Sequence, residues 1–203
     1  MERWFNMREL IKMVVVLTAL AAFSGGLLAG LRNGTAAQIE KQQLEFVKGP
    51  AIKKILEGAS NDPISDRFKI SDGDVERSFF VGKINGKANT VAFESFGKGF
   101  AGEVGLMVGV NLETNKITGI GVTTHSETPG LGAMAKDDPN FAAQFKGFST
   151  TEPIKVTNDG GQVNAISGAT ITSRAVCAAA TDAGNVYQKL KPQVSEKIKE
   201  FNK

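Results

Sequence analysis

Two short segments carry the residue types that could do chemistry. The first is Thr124-His125-Ser126-Glu127-Thr128-Pro129-Gly130-Leu131-Gly132, where polar side chains surround a turn-forming Pro-Gly pair. The second runs from Asn158 to Ser173 and centres on Ser167-Gly168-Ala169-Thr170. Its pattern reads strand, small-residue turn, helix. Small residues ahead of a helix leave backbone N–H groups converging on one place, and the helix dipole adds positive charge there. An anion such as phosphate suits that place. Plain helix capping by Ser167 or Thr170 explains the same spacing at least as well, so the residues alone leave both readings open.

Other chemistry is narrowed by what the chain lacks. One cysteine, Cys177, permits no internal disulfide and no thiolate metal cluster. One histidine, His125, permits no multi-histidine metal or haem site. Redox chemistry would therefore need an organic cofactor. His125 and Ser126 have no candidate orienting carboxylate except the adjacent Glu127, so a hydrolase triad is not expected. Gly97 to Gly102 match G-x-G-x-x-G, but Glu103 to Val110 read as a strand, not the helix that a dinucleotide fingerprint requires. The net charge is +3 with no concentrated basic stripe, which argues against a nucleic-acid partner.

The elements that must position these segments begin with an apolar run. Residues 13–31 carry no charge and, as a helix, would span about 28 Å, close to a bilayer's hydrocarbon core. A signal-peptide core is only about 7–15 residues long. Arg3, Arg8 and Lys12 precede the run, whereas Arg32 alone follows it before Lys41. The positive-inside rule then places the N-terminus in the cytoplasm and the rest outside it, as a single-pass protein of the cell inner (cytoplasmic) membrane. Gly26 and Gly30 form a small-xxx-small pair that would let another helix pack closely.

The expected organisation is a cytoplasmic N-terminus at 1–12, a transmembrane helix at 13–31, a helical stalk at 32–60 interrupted at Gly49-Pro50, and an extracytoplasmic domain at 61–203. Within the domain, period-two patterning gives strands at 77–84, 90–96, 103–110 and 116–125, with an Asn85-Gly86 hairpin turn between the first two. Asp138-Pro139 opens a helix containing Phe141 and Phe145. Short strands are expected near 154–156 and 162–166. A long helix should run from about Thr172 to Leu190, stop near Pro192 and resume. The fold class is α+β.

The element Ser167-Gly168-Ala169-Thr170, followed by Ile171-Thr172-Ser173, resembles the covalent flavinylation motif of the FMN-binding domain family. Glu127-Thr128-Pro129-Gly130-Leu131-Gly132 resembles that family's second signature. The anchor, the length and the order of the motifs resemble the G subunit of Rnf electron-transport complexes, which is related to the C subunit of the sodium-pumping NADH:quinone reductase. The resemblance implies FMN esterified through its phosphate to Thr170 by a flavin transferase that uses FAD, with Ser167, Gly168 and Ala169 forming the turn around it. It further implies that Glu127, Thr128, Gly130 and Leu131 border the isoalloxazine or ribityl chain. Lys155 is a candidate partner for the phosphate or a reduced, anionic flavin, with a plain surface lysine as the alternative. Many members have Asp where this chain has Asn164. The implied function is electron relay in a membrane complex coupling ferredoxin:NAD electron transfer to sodium or proton translocation, alongside other membrane subunits. The alternative is an extracytoplasmic FMN-binding sensory or assembly module without turnover. Glu127 is expected to behave as a surface loop residue that serves the ligand and not the fold.

Overall fold

The computed structural model describes residues 7–202. Arg3, part of the basic flank, lies outside them. Helix α1 spans Met7–Gln42, and none of its residues is buried. Leu17, Leu20, Phe23 and Leu28 all present exposed apolar side chains. The helix holding this run is the one among the described residues long and apolar enough to cross a membrane. The globular unit is Leu44–Lys203.

Its first residues lie in the π-helical stretch Gln43–Lys48, which helix α2 follows at Gly49–Ile55. The break expected at Gly49-Pro50 does not occur. Pro50 sits in the first turn of α2, where a missing N–H is tolerated. Ile52, Ile55 and Leu56 bury themselves against Phe80, Ala92 and Met107 of the sheet. This stretch, expected as stalk, therefore covers one face of the domain, because that sheet face is apolar and would otherwise be wet.

Five strands follow as an antiparallel meander in sequence order: β1 Arg67–Asp72, β2 Val75–Ile84, β3 Lys87–Lys98, β4 Glu103–Asn111 and β5 Lys116–Val122. Asn85 and Gly86 adopt φ of 55° and 77°, the left-handed pair that a two-residue hairpin with native twist demands. Strand β1 was not expected. It is a short edge strand with Arg67, Lys69 and Asp72 among its six residues, although Phe68 and Ile70 enter the core. The expected strands near 154–156 and 162–166 reduce to a single parallel bridge, Val156 to Val163, because the segment between them folds back on itself.

The other sheet face is covered by α5, Thr170–Phe201. Pro192 lies inside this helix and does not end it. An interior proline costs about 3 kcal/mol. Beyond it, Val194 and Ile198 are buried against the sheet side of the core, and each buried side chain of that size returns about 1.5–3 kcal/mol. Asn202 then ties the end down, its Oδ1 accepting the Ala88 N–H at 2.7 Å. Packing outweighs the local penalty. The short helices α3, Met134–Asp137, and α4, Pro139–Ala143, fill the connection after β5, with Asp138 capping α4 through the Asn140 N–H.

Candidate functional site

Thr170 is the first residue of α5. The turn ahead of it is closed by Ala169 N–H donating to the Ile166 carbonyl at 3.0 Å. Gly168 has φ of +76°, a conformation that resists side chains. Ser173 fixes the turn from inside: its hydroxyl donates to the Ala169 carbonyl and accepts the Ile166 N–H, both at 3.0 Å. Ser173 is fully buried, so both hydrogen bonds hold the turn from the protein interior. No side chain caps α5; neither Ser167 nor Thr170 plays the capping part. The N–H groups of Thr170, Ile171 and Thr172 have no carbonyl one turn earlier to bond, which leaves donors at the helix mouth beside the Thr170 hydroxyl.

The facing wall is the loop after β5. Thr128-Pro129-Gly130-Leu131 is a turn with Gly130 at φ +71°, and the Thr128 carbonyl accepts both Leu131 N–H and Ala133 N–H. Glu127 does not behave as a surface residue. It is only 5% exposed. Its Oε2 accepts the Thr172 hydroxyl at 2.5 Å and its Oε1 accepts Ala101 N–H at 2.9 Å. Gly132 packs so closely here that a Cβ would lie 2.7 Å from Glu127 Oε2 and 2.8 Å from Thr172 Oγ1. One carboxylate thus joins the β5 loop, the first turn of α5 and the β3–β4 hairpin tip. The expectation that Glu127 is a surface residue serving a ligand and not the fold is overturned, because it is buried and each of its carboxylate oxygens bonds a group of the fold, although it also lines the cleft.

Between these walls lies a cleft of about 390 Å³, bounded by Glu127, Thr128, Leu131 and Gly132 on one side and Gly168, Ala169 and Thr170 on the other. Phe100, Ile171 and Thr172 complete its lining. Its size falls within the usual range for small-molecule sites, roughly 300–1,000 Å³. Phe100 is 76% exposed, with Leu131 and Ile171 close to half exposed, so apolar surface gathers around the opening. Ser167 and Gly130 shape their turns without lining the cleft. Lys155 is placed elsewhere, bordering hollows with Pro153 and Ile154.

Sequence reasoning missed Phe100 and Ser173. Phe100 sits inside the discarded glycine motif, whose real role is the hairpin between β3 and β4, where Gly99 N–H bonds the Gly102 carbonyl at 2.8 Å. An aromatic residue at an exposed glycine-rich turn is the signal that could have found it. The donors, the threonine hydroxyl and the apolar rim fit a ligand with an anionic end and a flat aromatic end.

Comparison with known proteins agrees with that geometry. A family model described as the FMN-binding domain matches residues 99–185, which hold the hairpin tip and both cleft walls. The G subunit of the ion-translocating oxidoreductase complex of Methanosarcina acetivorans is 36% identical over 172 residues, 83% of this chain and 89% of that protein. The G subunit of the Na(+)-translocating ferredoxin:NAD(+) oxidoreductase complex of Acetobacterium woodii is 32% identical over 198 residues, 90% of this chain and 94% of that one. Among solved structures, the C subunit of the Na(+)-translocating NADH-quinone reductase of Parabacteroides distasonis shares the fold at a TM-score of 0.56 and 22% identity, covering 75% of this chain and 95% of that one.

Proposed function

The chain belongs to the family of G subunits of ion-translocating oxidoreductase complexes, and on that premise we propose that it holds FMN as a phosphoester on Thr170 and relays electrons within such a complex. The observation that carries this reading is the convergence of both sequence motifs on one cleft with Thr170 at its wall. FMN, once attached, supplies the electron-carrying chemistry, and the protein holds and tunes it.

The first-turn N–H groups of α5 would face the phosphodiester, and the helix end would favour its charge by about 0.3–1 kcal/mol, up to about 2 kcal/mol. Phe100, Leu131 and Ile171 would give the ring apolar contact. Thr128 is exposed at the edge of the cleft, where it can hydrogen-bond the ribityl chain. Thr170 is half-buried, so a flavin transferase using FAD can reach its hydroxyl. The open cleft leaves a flavin edge accessible to an electron-transfer partner. The complex would couple ferredoxin:NAD electron transfer to sodium or proton movement, with this domain on the extracytoplasmic side of the inner membrane and other membrane subunits as partners.

The test is the mass of the full chain purified after co-expression with a flavin transferase. A gain matching esterified FMN in the wild type, lost in Thr170→Ala and kept in Thr172→Val, is the expected result. Retention of the gain in Thr170→Ala would remove the assignment.

A further inference from the structure

We propose that Arg174, oriented by Asp159, is the side-chain cation that grips the phosphate attached at Thr170. The proposal rests on the reading that Thr170 carries FMN. Its starting point is an imbalance of charge. The cleft lining contains one carboxylate, Glu127, and no lysine or arginine. A phosphodiester added there would meet N–H dipoles but no formal positive charge from the lining itself.

Arg174 stands one turn after Thr170 on α5. Residues four apart share a helix face, and helical side chains lean toward the N-terminus. The guanidinium borders the hollow lined by Asp159, Lys155 and Cys177, outside the cleft lining, so its reach to a phosphate on Thr170 rests on the helix face the two residues share one turn apart. It is also held in place. Nε donates to Asp159 Oδ2 and Nη2 to Asp159 Oδ1, each at 2.7 Å. Asp159 in turn belongs to a loop that closes on itself, with Asp159 N–H on the Val156 carbonyl at 2.9 Å and Thr157 N–H on the Val163 carbonyl at 2.8 Å. The hydrogen bond from Arg174 holds the Asp159 carboxyl below its usual range, and the guanidinium is raised by the same bond.

Both side chains are substantially exposed. Such a pair contributes little to folding. Its geometric consequence is larger. A guanidinium has about five N–H donors, and Asp159 engages two of its nitrogens through one edge. No other acceptor is bonded to Arg174 among the described residues. The remaining donors form a pre-oriented fork of the kind that binds phosphate oxygens. Lys155, the cation expected from sequence, borders the same hollow as Arg174 but is not carried on the helix that starts with Thr170.

The experiment uses the full chain in detergent with purified flavin transferase and FAD, in five forms: wild type, Thr170→Ala, Arg174→Gln, Arg174→Lys and Asp159→Asn. Ester formation is followed by mass, and the phosphodiester of the modified fraction by its phosphorus resonance. Arg174→Gln should form the ester about tenfold more slowly, the scale of one lost charge-assisted hydrogen bond. Its phosphorus resonance should be displaced from the wild-type position. Arg174→Lys should recover part of both effects by restoring charge without the fork, and Asp159→Asn should show a partial loss. Wild-type rate and a coincident resonance in Arg174→Gln would overturn the proposal. If Arg174→Gln does not melt cooperatively, Arg174→Lys and Asp159→Asn decide, and wild-type behaviour in both overturns it. A wild type that gains no mass, or a Thr170→Ala chain that does, indicts the attachment site instead.

Discussion

Glu127 Oε2 accepts a hydrogen bond from Thr172 Oγ1 at 2.5 Å, across 45 residues of sequence. Its other oxygen takes the Ala101 N–H. The bond ties the two motif segments to each other before any ligand is considered. Glu127→Ala should therefore destabilise the flavin-free chain, since it strands the buried Thr172 hydroxyl at about 1–3 kcal/mol, whereas the N–H of exposed Ala101 can turn to water. Glu127→Gln keeps an acceptor for one of them and should lose less. Thr172→Val should also lose stability, and the double variant should fall short of the sum because both remove one bond. Urea unfolding of the wild type and these variants measures this. Wild-type stability in Glu127→Ala would return the residue to a purely ligand-facing role.

Gly168 tests the Thr170 turn from the backbone. Its φ is +76°, and a Cβ there would lie 3.2 Å from Leu131 Cδ2. Gly168→Ala should cost roughly 1–2 kcal/mol from the left-handed conformation alone. Gly168→Val should cost more, since branching at Cβ adds crowding. Both should slow flavin attachment, because the turn sets where the Thr170 hydroxyl points. Melting and the yield of flavinylated chain report the two effects separately. Full attachment in Gly168→Val would mean that the turn does not position Thr170.

Much of this arrangement was legible in the sequence because it depends on local rules. Alternation revealed β2 to β5, Asn85-Gly86 revealed a hairpin, and the small residues before Thr170 revealed a helix start. What escaped was decided at long range. Pro192 reads as a stop, yet buried Val194 and Ile198 carry the helix past it. Charged residues mask β1, which is defined by pairing with β2. Glu127 looks like a loop carboxylate until Thr172 and Ala101 arrive beside it. Phe100 looks like part of a nucleotide motif until β3 and β4 close a hairpin around it.

Cys177 should be chemically silent in the folded chain. It is buried among the apolar residues of α5, and burial pushes its thiol from 9.0 up to about 12. The thiolate is the reactive form, so alkylating reagents should label Cys177 only after unfolding. The sign for stability follows from the raised value. The contribution is fully present below the unfolded value of 9.0 and is lost as pH rises toward the folded value of about 12. Labelling in denaturant, read by mass, should track the unfolding transition. Rapid labelling of the native chain near neutral pH would contradict the burial.

The topology predicted from Arg8 and Lys12 before the apolar run and Arg32 after it can be tested with a reporter fused after Lys203. Activity from a reporter that matures only outside the cytoplasm is the expected outcome. A reporter active only in the cytoplasm would reverse the orientation, and with it the side of the membrane on which electrons are relayed.

Phe100 and Leu131 separate a role in the fold from a role toward the flavin. Both line the cleft, yet Phe100 is 76% and Leu131 47% exposed. Truncating an exposed side chain removes little buried surface, so Phe100→Ala and Leu131→Ala should each change the stability of the flavin-free chain by no more than about 0.5 kcal/mol. The cost of leaving two large apolar groups in water is then not offset by the fold, and a covering ligand is what would offset it. Aromatic rings prefer offset or edge contact with another ring, and Phe100 is the one aromatic side chain in the cleft lining. In the flavinylated chain, Phe100→Ala should shift the flavin absorption bands toward those of free FMN and raise the access of a soluble quencher to its fluorescence, with Leu131→Ala showing a smaller change of the same sign. Unchanged spectra and quenching in both variants, with ester still present on Thr170, would mean that the ring lies outside the cleft and that these side chains face another partner.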